Sequence, residues 1–249
     1  MNSPNYRASR HFAERVRQEG MPLSKIPMPI DWNFALAELQ GKMTPSYTTG
    51  DGQLGVNNGG KFSVDVTYIA AAEATGNATV RTHSNVTEIF RNRNGQWTVH
   101  VDKLDDSGRA VEKQILTTPT LIMGAGSVNT TRLLMRAERL GHIGDLPDDL
   151  GRGWGTNADR IYTWTDPDAD YGPKQGGPVV YGSKNWSDPA SAFTVIQASM
   201  PPNPLGPKTT MLVGYGVSRI RGHFTYDGRT DQARLRGAAT GDESIQNGQ

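Results

Sequence analysis

The sequence contains no cysteine. That excludes disulfides, cysteine metal sites and a thiol nucleophile, and it removes redox chemistry as a guide to the compartment. An excess of either charge is also missing: 26 lysines and arginines stand against 25 aspartates and glutamates, a formal net charge of +1. This balance gives no electrostatic case for nucleic acid or an acidic membrane surface as partner. No apolar run is long enough to span a bilayer, and Met1-Asn2-Ser3-Pro4-Asn5 lacks the basic-then-apolar pattern of a signal peptide. The expectation is a soluble chain of unknown compartment. There is no G-x-S-x-G elbow, no H-E-x-x-H helix and no G-K-[ST] phosphate loop. The histidines, His11, His83, His100, His142 and His223, are scattered without the carboxylate spacing of a general base, and read as surface or strand residues. Asp145-Leu146-Pro147-Asp148-Asp149 reads as a solvated loop, and no metal site is expected.

What is present is enough for a core. At 249 residues and 35% hydrophobic content, the chain can form one large domain or two modest ones. Ser3 and Pro4 read as the start of a helix through Glu19, with Tyr6, Phe12 and Val16 on its apolar side and Gly20 as its stop. Pro22, Pro27 and Pro29 impose an extended path, after which Asp31 opens a short helix to Leu39 with Trp32 as a core anchor. Thr48–Gly60 is dense in glycine, which suits either a surface loop or close backbone approach to a cofactor; Lys61 is ambiguous for the same reason. Ser63 and Asp65 can cap a helix in which Val66, Ile69, Ala70 and Ala74 face inward and which Gly76 ends.

Strands are expected at Thr79–Arg81, Asn85–Arg91, Gln96–Lys103 and Val111–Leu116, with turns at Asn94-Gly95 and Asp106-Ser107-Gly108. Asn-Gly between alternating segments is a strong hairpin signal, and Trp97, Val99 and Val101 alternate with Thr98, His100 and Asp102. This β-meander runs through Pro119 into Leu121-Ile122-Met123, expected as a buried strand, then into Gly124-Ala125-Gly126 and a helix carrying Leu133, Leu134 and Ala137. Such a corner is either an ordinary strand-to-helix turn or a nucleotide platform. Position 129 is Asn, so the dinucleotide fingerprint lacks its third glycine. Beyond residue 157 the chain is polar and broken over Asp159–Gly177. Val179–Tyr181, Ala192–Ala198 and Thr210–Ile220 then read as strands of a second, antiparallel sheet, interrupted by Pro201-Pro202-Asn203-Pro204.

Taken together, Gly55-Val56-Asn57-Asn58-Gly59-Gly60-Lys61, Thr67–Ala72, Thr79–Thr82 with Val86, Gly124-Ala125-Gly126-Ser127, Leu133-Leu134 and Gly151-Arg152-Gly153-Trp154-Gly155-Thr156-Asn157 resemble the cholesterol oxidase branch of the glucose-methanol-choline (GMC) oxidoreductases. The resemblance spans most of positions 20–235. It implies an α/β (α+β) fold: the second half of a Rossmann-like FAD-binding domain with its meander, plus an antiparallel sheet of the substrate domain. The domains it implies are 1–50 as a helical and extended segment of the substrate or covering region, 51–157 as the second half of the FAD-binding domain with its meander and 158–249 as part of the substrate domain. FAD is the implied cofactor. Val86 would lie against the adenine through its backbone, and Gly124, Ala125 and Gly126 would approach the adenosine diphosphate. Asn157 and Gly155 would lie near the cofactor or close the domain boundary, with Trp154 read as packing. Phe193 and Met200 resemble residues lining a steroid cavity.

The resemblance thus implies oxidation of a secondary alcohol, such as a 3-hydroxysteroid, with peripheral membrane contact as a means of extracting a sterol. In place of the steroid enzymes' isomerising glutamate, the chain carries Val195-Ile196-Gln197, and Gln197 cannot act as a base. The family's amino-terminal G-x-G-x-x-G unit and its carboxy-terminal His and Asn have no counterpart. The chain therefore reads as an internal fragment, and no catalytic residue is assigned. A truncated, inactive product that binds a nucleotide or an apolar ligand is the alternative; an NAD-dependent dehydrogenase is disfavoured by the meander.

Overall fold

A computed structural model describes residues 6–49, 58–156, 158–172, 175, 180–198 and 206–237. In chain order come α1 (Arg7–Gln18), β1 (Ser24–Lys25), α2 (Trp32–Leu39), α3 (Ala70–Ala74), β2 (Ser84–Arg91), β3 (Trp97–Leu104), β4 (Ala110–Thr118) and α4 (Gly126–Arg139). They are followed by β5 (Arg152–Trp154), β6 (Arg160–Thr165), β7 (Tyr181–Asn185), β8 (Phe193–Ala198), β9 (Thr209–Tyr215), β10 (Gly222–Asp227) and β11 (Gln232–Arg236). The described residues divide into two compact units, 6–78 with 156–218, and 79–155 with 219–237. None of their helices is long and apolar enough to cross a membrane.

The first unit is built on a five-stranded antiparallel sheet, β1-β7-β8-β9-β6, with α1 packed on β7 and β8. The expected apolar side of α1 is the buried one: Tyr6, Phe12 and Val16 are joined there by Ala8 and Ala13. Gly20 follows it at φ +67°. Ser9, also buried, donates to Gln197 Oε1 on β8 at 2.6 Å. Gln197 Nε2 donates to Ala198 O and Thr210 Oγ1, and Thr210 Oγ1 in turn donates to Gln175 Oε1, so these four buried polar side chains are paired with one another.

Three expectations for this unit are corrected, and Gly60 gains a structural reason of its own. Trp32 is no core anchor but 57% exposed, because α2 turns Ala35 and Glu38 inward and leaves Trp32, Leu36 and Leu39 outside. The helix after Ser63 begins as a π-helical turn over Asp65–Ile69 and becomes α-helical only at α3; none of Val66, Ile69, Ala70 and Ala74 is buried. Gly60 is required by close approach to protein, since a Cβ there would stand 2.9 Å from Phe34 Cβ. Asp159–Gly177, read as broken, contains β6, whose Arg160–Thr165 pair with Gly214–Thr209 of β9. β6 lies at the sheet edge, where Ile161, Tyr162 and Trp164 do not form a simple apolar alternation. The antiparallel sheet itself, with strands at Phe193–Ala198 and Thr209–Tyr215, is as expected, although β9 ends before Ile220.

The second unit holds the meander. β2 pairs β3 and β3 pairs β4, all antiparallel, and the turns place Gly95 and Gly108 at φ +80°. Its core joins Ile89, Val99 and Val101 of the meander to Leu133 and Ala137 of α4 and to Ile143. A second three-stranded sheet, β11-β10-β5, completes the unit. Two strands expected here are absent. Thr79–Arg81 joins no ladder, and neither does Leu121–Met123. The latter still alternates in its burial: Leu121 and Met123 pack on the core while Ile122 is 90% exposed. Apolar side chains predict which face of an extended segment turns inward, but a strand also needs a neighbouring backbone, and every ladder among the described residues is antiparallel and formed elsewhere.

Candidate functional site

The site read from the sequence is the corner between the meander and α4. Gly124 is open: a Cβ built there meets nothing within 4 Å. Ala125 is the N-cap residue of α4 and cannot cap with its side chain, and the first turn carries no acidic residue. A helix of 14 residues therefore starts with its leading N–H groups and positive dipole end uncovered by side chains, the arrangement an anionic group requires. Gly126 turns the chain into the helix at φ +80°, where only open space surrounds it. Strain, not a clash, makes glycine necessary: Gly126→Ala is expected to lower stability by about 1–2 kcal/mol in a urea titration. Gly124→Ala at ordinary φ is the control and should change it little.

Val86 belongs to the same unit and packs on the same core cluster as Leu121 and Met123. It faces Val101 across the ladder, and the register slips between Val86 and Glu88, leaving Thr87 as the extra residue of a bulge. A bulge takes backbone groups out of the ladder and turns them toward other partners, which is the local condition for recognition through the main chain. Alternation and turn chemistry found the strand, but no sequence signal marks a bulge whose extra residue is threonine.

α4 is oriented by charge as well as by packing. Arg136 contacts Glu88 of β2 at 2.6 Å and Asp231, in the β10–β11 turn, at 2.9 Å. Arg132 reaches Asp231 at 2.8 Å, and Tyr226 donates to the same carboxylate at 2.7 Å. The hydrogen bond from Arg136 holds the Glu88 carboxyl below its ordinary value against the opposing effect of burial.

The other sequence-derived site residues lie apart from this corner in the chain. Phe193 opens β8, opposite Asn185, and shares a sheet face with Gln197 by strand alternation. Trp154 takes its packing role, edge-on to Phe224 with centroids 6.3 Å apart. Asn157 and Met200 lie outside the described residues, as do Asn57 of the glycine loop and Pro201–Pro204.

A second polar cluster, in the first unit, has no local marker in the sequence. His11 donates to Asp166 at 2.8 Å, stacks on Trp164 with centroids 5.1 Å apart and lies 5.7 Å from the Tyr171 ring. Reading His11 as an isolated surface histidine is corrected: its carboxylate partner stands 155 residues away in the chain, beyond any local spacing rule. The backbone N–H of Asp168, then His11 and Arg15, hold the Asp166 carboxyl below its usual range. Burial, with the Asp166 charge, pushes the Tyr171 hydroxyl up to about 12. Among the described residues no group of three His, Asp or Glu is placed to hold a metal ion.

Residues 31–144, which include the glycine loop, the meander, Val86 and the α4 corner, match the family model of the GMC oxidoreductases. Over those residues, a little under half of the chain, the sequence is similar to the GMC oxidoreductases, whose cofactor is FAD. The corner fits that cofactor's anionic end, because it is open, uncapped and free of acidic side chains.

Proposed function

We propose that this GMC-type chain supplies the adenosine-side wall of an FAD site in an enzyme that oxidises a secondary alcohol, most simply a 3-hydroxysteroid such as cholesterol. The observation that carries this reading is the uncapped start of α4 at Gly124-Ala125-Gly126, set on the same apolar cluster as Val86. In this reading the N–H groups after Ala125 hold a phosphate of the cofactor, the missing side chains at Gly124 and Gly126 let it approach, and the backbone at Val86 meets the adenine. Asn157 adds a polar contact to the cofactor, while Phe193 and Met200 give an apolar wall to the alcohol. With FAD bound, the chemistry supplied is acceptance of a hydride from the alcohol carbon.

Gln197 supports oxidation without double-bond isomerisation. Its amide is buried and spent on Ser9, Ala198 and Thr210, so it offers no proton acceptor to a ligand. The substrate half of the proposal rests on the likeness of the Phe193 strand to sterol oxidases.

Two titrations test the two halves separately. ADP and FAD, but not FMN, are expected to broaden or shift amide resonances of residues 124–128, and Gly126→Val should abolish the response. Equal perturbation by FMN, or none by ADP, overturns the adenosine-side assignment. For the substrate, anaerobic cholesterol added to flavin-loaded protein should bleach the visible flavin bands. Bleaching by short aliphatic alcohols but not by cholesterol overturns the sterol assignment, and indifference to every alcohol favours a non-catalytic binding protein.

A further inference from the structure

In the second unit, away from the α4 N-terminus, an open pocket of about 620 Å³ lies along the β10–β11 hairpin and the last residue of α4. Its lining includes Arg139, Arg229, Arg234 and Arg236 against a single carboxylate, Asp227. Asp227 is already engaged: Arg234 reaches it at 3.3 Å, and it accepts the Arg229 backbone N–H at 3.0 Å. Arg139, Arg229 and Arg236 meet no carboxylate among the described residues. A chain whose formal net charge is +1 thus concentrates around one concavity three guanidiniums that no carboxylate among the described residues compensates.

The arrangement follows from the hairpin register. Thr225 faces Arg234, and His223 faces Arg236, so strand alternation puts these polar residues on one side and Phe224 with Leu235 on the other. Arg139 is brought to them by Gly228: a Cβ there would stand 2.6 Å from Arg139 Nε, so glycine is what lets the guanidinium lie over the turn. Arg139 is not needed to cap its own helix. The carbonyls of Arg136, Ala137 and Glu138 already accept the N–H groups of Leu140, His142 and Gly141, at 3.0, 2.8 and 2.9 Å. The negative helix end, about half a charge and partly satisfied, is outweighed by three full positive charges.

We infer that this pocket binds a phosphomonoester-bearing small molecule. Guanidinium forks match the oxygens of a tetrahedral dianion in paired hydrogen bonds, and a dianion gains more from three cations than a carboxylate does. The volume is that of a small-molecule site, with room beyond the phosphate itself.

Calorimetric titration of the whole chain with phenyl phosphate, inorganic phosphate and benzoate tests this. Phenyl phosphate is expected to bind saturably, about tenfold tighter than benzoate, and to weaken as salt rises. Arg229→Ala and Arg236→Ala should each weaken it about tenfold, and Arg229→Lys should recover only part of that loss. Arg91→Ala, on another face and paired with Asp145, should leave it unchanged. Gly228→Val should weaken binding with all four arginines retained, and thermal melts of each variant confirm that it is folded. Equal affinity for benzoate, indifference to Arg229→Ala and Arg236→Ala, or no saturable binding would overturn the inference. Tighter binding of inorganic phosphate than of phenyl phosphate would identify the free anion as ligand and overturn the small-molecule part.

Discussion

Replacing Glu38 by alanine is expected to destabilise the protein by about 3 kcal/mol, the largest single effect predicted here. Glu38 is the buried carboxylate of α2, 3% exposed, and both its oxygens are occupied. Oε2 accepts the backbone N–H of Ser46 at 3.1 Å and both the N–H and the hydroxyl of Thr48, at 2.8 and 2.9 Å. Oε1 accepts from Tyr47 N–H at 3.2 Å and from Asn58 at 2.9 Å. One side chain therefore holds the turn at Ser46–Thr48 and, through Asn58, the approach to Gly60, whose N–H Asn58 accepts. Alanine would strand these donors in a buried place, and each unpaired donor costs about 1–3 kcal/mol, reduced where water enters.

Glu38→Gln separates shape from charge. It keeps the volume but turns an NH₂ toward backbone N–H groups that can only donate, so a loss of about 2 kcal/mol is expected. Urea unfolding followed by circular dichroism measures both, and a change below about 0.5 kcal/mol in the alanine variant would show that the carboxylate holds nothing. Acid adds a signed test. Burial tends to raise the Glu38 pKa, but the hydrogen bonds from Thr48, Ser46 and Tyr47 outweigh it, and the carboxyl titrates below its ordinary value. A depressed folded-state pKa means that the stabilisation is full above the unfolded value of about 4.3 and disappears as pH falls through the folded one. The stability gap between wild type and Glu38→Gln should accordingly close on acidification below about pH 4.3.

Arg136→Met should cost about 2 kcal/mol and loosen α4 specifically. The guanidinium joins Glu88 and Asp231, which are 25% and 39% exposed, so the effect lies between that of a surface pair and that of a buried one. Methionine keeps the packed stem and removes the charge, leaving Glu88 with His100 at 3.4 Å and Asp231 with Arg132. Asp231 also sits at φ +52°, a strained position for a residue with a side chain, and its ties to Arg132, Arg136 and Tyr226 hold it there. Hydrogen exchange should quicken in α4 and in the β10–β11 turn. A double-mutant cycle with Glu88→Gln should return a coupling of about 1 kcal/mol, and simple additivity would show that the pair is idle.

The meander was legible because its signals are local. Asn94-Gly95 and the alternation from Trp97 to Val101 state both a turn and the face that turns inward. So was the corner at Gly124-Ala125-Gly126, down to the burial of Leu133 and Ala137. What escaped depends on partners distant in the chain. The ladder expected at Leu121–Met123 needs a neighbouring backbone, and Trp32 and Val66 need surfaces to cover them. Glu38, Asp166 and Gln197 take partners that no spacing rule connects. The arginine pocket was invisible for a related reason, since Arg139 and Arg229 meet only through the hairpin's return.

The polar chain inside the five-stranded sheet has a direction. Ser9 donates to Gln197, Gln197 to Thr210, Thr210 to Gln175, and Gln175 Nε2 ends the relay at the Thr209 carbonyl, 2.6 Å away. Because the last acceptor is a carbonyl that cannot donate, each amide and hydroxyl upstream has one permitted orientation, and the aligned dipoles strengthen one another. None of its members ionises in the acid range. The Ser9–Gln197 link between α1 and β8 should therefore outlast in acid the contacts made by the Glu38 and Asp166 carboxylates, including those Asp166 makes with His11 and Arg15 of α1.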